Sequence, residues 1–147
     1  MLQNKLFTFT NILILSNIIM FAIQNSIQNG GLIFGLNIYF FQAELYFQLL
    51  STMFVHGGIA HILMNMFVLY QFGNMIERAI GVPKFLFLYF VGGVLTSIGS
   101  LAYMYTTGNW ANLVGASGAI SVLLGWFALK DRYQRSGIIV WVLLISF

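Results

Sequence analysis

Two stretches of this sequence hold residues able to do hydrolytic chemistry. One is Gly115-Ala116-Ser117-Gly118-Ala119-Ile120-Ser121, a serine hydroxyl among small apolar residues. The other is His56-Gly57-Gly58-Ile59-Ala60-His61-Ile62-Leu63-Met64-Asn65. A serine opening a helix has an ordinary use, because its oxygen caps free backbone N–H groups, and small residues let membrane helices approach closely. His61 and Asn65 are four apart and share one helix face, with His56 at the mouth of that helix. Two histidines and an amide can simply be satisfied inside a bundle. Ionisable groups within a membrane are costly, however, and point to function. There is no HExxH pattern, no acid nearby and no cysteine, so a metal site is not expected.

The elements that must position these residues are membrane helices. Hydrophobic residues make up 60% of the 147-residue chain and charged residues only 6%, against about 25% charged in soluble domains. The basic residues are scattered and flank apolar runs, which excludes a nucleic-acid surface and marks them as topology signals. No linker or repeat divides the chain, so residues 1–147 read as one membrane domain, surrounded by lipid. Lys5 and the apolar run after it imitate a signal peptide, but no small-x-small cleavage site follows Ile23, and a retained first helix is expected.

Spanning runs of about 20 apolar residues are expected at about Phe7–Ile23, Gly58–Ile76 and Phe85–Tyr105. Between the first two, Asn29-Gly30-Gly31 and Gly35 mark turns, and aromatics cluster around Glu44, as at a membrane interface. A long loop with short helical pieces, lying in or near the outer leaflet, is expected there. Gly81-Val82-Pro83 is a turn whose proline starts the third span. A fourth helix begins near Ser117 and stops before Lys130, and a fifth apolar run begins at Gly137. Lys5, Arg78, Lys84, Lys130, Arg132 and Arg135 all fall in alternate loops. By the positive-inside rule those loops and the N-terminus are cytoplasmic, in a cell membrane by expectation.

At about 1.5 Å of rise per residue, counting from Glu77 and Lys130, Asn65 lies about 18 Å, His61 about 24 Å and Ser117 about 20 Å above the cytoplasmic edge. Hydroxyl, amide and imidazole thus share a depth in a hydrocarbon core about 30 Å thick. A helix starting at Ser117 is too short to span. The chain from Trp110 to Ala116 must descend as non-helical backbone, which is tolerated only inside protein or beside a wet cavity.

These two motifs, with Glu77 followed by Gly81, resemble the rhomboid family of intramembrane serine proteases over about Gln48 to Phe147. The resemblance implies an all-α, polytopic transmembrane bundle, with about five helices here of the six expected. It implies a catalytic Ser117, an oxyanion hole from His61, Asn65 and the Ser117 N–H, and site support from His56, Gly115 and Gly118. The partners would be transmembrane protein substrates. The alternative is a non-catalytic rhomboid-like protein that binds membrane segments. The family's general base is a histidine on a sixth helix, and neither His56 nor His61 corresponds to it. The run from Gly137 to Phe147 is about 17 Å long, too short to cross. The expectation is therefore a C-terminally incomplete domain whose parent chain continues into a base-bearing helix. Phe47-Gln48 stands where the family has Trp-Arg, and Ser121 where it often has an aromatic.

Overall fold

The computed structural model describes residues 8–131, 133 and 135–145. Lys5, Phe7, Arg132 and Phe147, which carry part of the expected orientation and span bounds, lie outside the described residues.

Three helical runs are long and apolar enough to cross a membrane: α1 (Phe9–Ser26), the 22-residue run Ile59–Ile80, and a 26-residue helix, Val82–Thr107. Between the first two lie α2 (Gly30–Phe34), α3 (Tyr39–Gln42), α4 (Gln48–Ser51) and a 3₁₀ turn, Thr52–Phe54, which are the short pieces expected of the long loop. The second run comprises α5 (Ile59–Val68), a π-helical turn at Leu69–Gly73 and α6 (Asn74–Ile80). The third is α7, which has Pro83 in its first turn and closes on Gly108 in the left-handed conformation (φ 71°). The expected short fourth helix is α8 (Ser117–Lys130), and α9 is Arg135–Ile145.

Two boundaries differ from the sequence reading. The second run does not stop at Ile76 but carries Glu77 inside it. The acid is tolerated because donors surround it. The backbone N–H groups of Phe9 and Thr10 donate to its two carboxylate oxygens at 3.0 and 2.8 Å, and the Thr10 hydroxyl donates at 2.7 Å. One carboxylate thereby satisfies N–H groups that the first turn of α1 cannot pair for itself and stands at the positive end of its dipole. Asn74 extends the junction, accepting from the Thr8 hydroxyl at 2.7 Å and donating to Asn11 at 3.2 Å. The first helix also runs past Ile23, through Gln24, whose amide is buried and paired.

The middle of the bundle is α8. Its Ala119, Ile120, Leu123 and Leu124 are buried, and it packs on α7 through small residues. A Cβ on Gly92 would meet Val122 at 2.7 Å, and one on Gly93 would meet Ala119 at 3.1 Å. Gly118 is pressed against Thr96 in the same way. This is the close backbone approach that lets helices associate in lipid, where no hydrophobic effect drives them together.

The expected non-helical descent to Ser117 is present, and its backbone is tied at Leu113 and Gly115 to the loop between α1 and α5. Leu36 and Leu113 exchange both backbone hydrogen bonds at 2.9 Å. The Gly115 N–H donates to the Thr52 carbonyl at 2.9 Å, and the Thr52 hydroxyl donates to the Leu113 carbonyl at 2.6 Å. These bonds pair backbone groups of Leu113 and Gly115 at membrane depth, where unpaired ones would be costly. The loop itself is stiffened by Gln48, fully buried, whose amide donates to the Leu32 and Ile33 carbonyls at 3.2 and 3.0 Å.

Candidate active site

Ser117 is the first helical residue of α8, not its cap. Ala116 occupies the cap position, and no side chain bonds to the helix end. The ordinary capping use of this serine is thus not realised. The hydroxyl is half-buried and makes no hydrogen bond to another described residue. The first N–H groups of α8 have no carbonyl one turn earlier to bond, and they form the positive end of the helix dipole.

Gly115 brings the two motifs together. Its φ is 126°, a conformation open to glycine and strained for other residues. A Cβ there would stand 2.9 Å from both Cε1 and Nε2 of His61 and 3.6 Å from the Ser117 Oγ. The imidazole edge and the serine hydroxyl therefore border the same backbone atom, as the shared-depth argument anticipates.

The tautomer of His61 follows from its other nitrogen. The Gly57 N–H donates to Nδ1 at 3.2 Å, so in the neutral ring the proton resides on Nε2. The nitrogen turned toward Gly115 is thus a donor. It can meet a negative oxygen, but it cannot accept a proton from Ser117 in this form.

Asn65 is fully buried one turn further along α5. Its amide N–H donates to the His61 carbonyl at 3.0 Å, while its Oδ1 has no partner. An Asn amide is oriented by its hydrogen bonds, and here the only one stays on its own helix. His56 stacks edge-on against His61, with ring centroids 5.2 Å apart. It precedes the spanning helix, is buried, and neither ring nitrogen has a partner. Burial lowers its pKa to about 4, and the neighbouring His61 acts in the same direction, so the ring is neutral at physiological pH. Gly118 faces Thr96 on α7 rather than His61.

Behind Ser117 lies a cavity of about 120 Å³. Hydroxyls of Thr52, Thr96, Ser97 and Ser100 are on residues that line it together with Ser117. The volume and the polar lining suit water. The sequence reading missed Thr52, Thr96 and Ser100, which carry no motif. Gln24 too falls in a loop by sequence pattern. The only signal for Gln24 was an amide continuing an apolar helical run. Among the described residues no cluster of three or more metal-ligating side chains occurs.

An all-helical membrane domain with a serine opening a buried short helix defines the class. A family model for the rhomboid domain matches residues 42–147, and the chain belongs to the rhomboid family. Rhomboid protease GluP of Bacillus subtilis (strain 168) is 34% identical over 143 residues, covering 88% of this chain and 26% of that protein. Presenilin-associated rhomboid-like protein A, mitochondrial, of Danio rerio is 33% identical over 87 residues, covering 59% and 23%. RHOMBOID-like protein 4 of Arabidopsis thaliana is 41% identical over 78 residues, covering 53% and 19%. The chain thus spans at most about a quarter of the length of these curated relatives. It is an integral membrane protein. The expected cell membrane gains no support from these relatives, one of which is mitochondrial by name.

Proposed function

We propose that this chain carries the nucleophile and the oxyanion-stabilising groups of a serine endopeptidase that cuts transmembrane proteins within the bilayer. The observation that carries the reading is the convergence of the His61 Nε2 edge and the Ser117 Oγ on Gly115. In this reading Ser117 attacks the peptide carbonyl. The negative charge that develops on its oxygen is met by the Nε2–H of His61, by the N–H of Ser117 at the dipole end of α8, and by the Asn65 amide once substrate draws it off the His61 carbonyl. Donors preorganised in a low-dielectric site stabilise such charge by a few kcal/mol each. The hydroxyl-lined cavity would supply the water that releases the acyl group.

A serine needs a base. The Nε2 of His61 is protonated in this tautomer, so His61 is not poised to take the serine proton. The resemblance gives the role of base to neither histidine of this chain. The same observation favours a second reading, a non-catalytic protein that binds membrane segments. Treating the full-length protein with a fluorophosphonate separates the two. Covalent labelling at Ser117 supports the protease, and failure to label in an otherwise folded, substrate-binding protein supports the binder.

Within the protease reading, Asn65→Ala is expected to lower kcat about 10²-fold with little change in KM. Steady-state cleavage of a single-pass reporter in liposomes checks this, and an unchanged kcat would remove Asn65 from the oxyanion site. The orientation is proposed from the basic residues: the loop holding Lys130 and Asp131 faces the compartment where the protein is made, and Asn109 faces away. An impermeant thiol reagent added outside intact cells that carry the protein in their surface membrane should label Asn109→Cys but not Gln134→Cys. The converse pattern would invert the topology.

A further inference from the structure

Residues 55–58 connect the 3₁₀ turn to α5 without regular structure, so the backbone groups of His56 have no helical partners. A single side chain from α1 satisfies both. The Gln24 amide N–H donates to the His56 carbonyl at 2.6 Å, and the His56 N–H donates to the Gln24 Oε1 at 2.9 Å. An amide that gives and receives at one residue imitates a rung between strands, and its orientation is fixed because a flip would set donor against donor. Gln24 is 7% exposed and His56 1%, so water does not compete for these bonds. The turn after α1 seals the contact: Gly30 lies so close to the Gln24 backbone that a Cβ would collide with its carbonyl.

The next residue along the chain is Gly57, whose N–H holds the His61 Nδ1 at 3.2 Å. That bond fixes the tautomer and turns Nε2–H toward Gly115. Clamping His56 on both sides of its α-carbon fixes the peptide plane from which the Gly57 N–H projects.

We infer that Gln24 is a positioning residue for the candidate site, acting through His56 and Gly57 to hold the His61 ring as a donor. This rests on the reading of His61 as an oxyanion donor. It assigns to the end of the first helix, 32 residues before His56 in sequence, a part in the chemistry rather than only in packing. It also explains why an amide lies buried where an apolar residue would extend the span without cost.

The test uses the full-length protein with ¹⁵N-labelled histidine in liposomes, with the His61 ring signals assigned by their loss in His61→Gln. Gln24→Met keeps the length and shape of the side chain but removes both hydrogen bonds. It is expected to shift His61 from a single Nε2–H form to a tautomer mixture. The rate of fluorophosphonate acylation at Ser117 should fall by up to about 10²-fold, the scale of a displaced catalytic group. Asn25→Ala, exposed on the neighbouring position, should leave both unchanged. Gly30→Ala, which pushes on the Gln24 backbone while keeping the amide, should move the His61 signals in the same direction, and decides the matter if Gln24→Met does not fold. Unmoved His61 signals in the folded variant would overturn the inference, including the case where acylation falls through lost stability alone. If the wild-type protein is not acylated, the protease reading fails, while the His61 spectra still decide the role of Gln24.

Discussion

Replacing Ser117 with alanine is expected to abolish both fluorophosphonate labelling and cleavage of a single-pass substrate by the full-length protein, without measurable loss of stability. The two halves of this expectation have separate physical grounds. Removing the nucleophile of a serine hydrolase lowers kcat by about 10⁶-fold, because the remaining donors stabilise charge that no longer develops. Removing a hydroxyl is costly to a fold when it leaves a buried partner unsatisfied. The Ser117 Oγ caps nothing and bonds to no described side chain, so the stability change should stay within about 0.5 kcal/mol. Thermal unfolding in detergent should superimpose on wild type while activity is lost. Residual cleavage by the folded alanine variant would show that another residue is the nucleophile. A marked drop in stability would return the serine to a structural role.

How much of this was legible in the sequence depends on the length scale of the signal. Helix runs, the loop of short helices and the short α8 all follow from apolar run length and turn residues, which are local. The convergence of Ser117 with His61 also followed, because a fixed rise per residue converts sequence distance into depth. Lateral relations were not legible. Nothing in a one-dimensional pattern tells that Glu77 caps α1 across 67 residues, so the acid reads as the end of a helix rather than a buried junction. Gln24 and Gln48 show the same limit. Each reads as a polar interruption, and each is buried because its amide finds backbone groups of a segment far along the chain. The donor state of His61 depends on a single N–H four residues away in an irregular turn, a detail that spacing cannot supply. Asn65 lies on the His61 face, as its spacing predicts, but its hydrogen bond runs back along its own helix, which helix periodicity does not reveal.

The Gly115→Ala protein is expected to lose about 10³-fold in kcat, more than the removal of a single oxyanion donor at Asn65. Two penalties combine. At φ 126° any L side chain is strained, at a cost of about 1–3 kcal/mol. The added methyl would also stand 2.9 Å from Cε1 and Nε2 of His61, closer than carbon atoms pack. Relief can come from the backbone or from the imidazole. If the backbone rotates, the Gly115 N–H leaves the Thr52 carbonyl and Ser117, two residues on, moves with it. If the imidazole swings away, it breaks its bond to the Gly57 N–H and takes the Nε2 donor with it. Either route displaces a reacting or stabilising group by about 1 Å, enough to cost about 10²-fold, and the strain adds to it. Gly125→Ala is the control, since a Cβ there meets nothing within 4 Å; it should retain wild-type kcat. The double variant Gly115→Ala/His61→Ala separates the causes. Removing the ring that the methyl strikes should recover part of the stability but none of the rate, giving a coupling between the two positions of the kind seen only for residues in contact. A Gly115→Ala protein within threefold of wild-type kcat would mean that this glycine does not hold the hydroxyl and the imidazole in register, and the convergence on which the protease reading rests would lose its functional meaning.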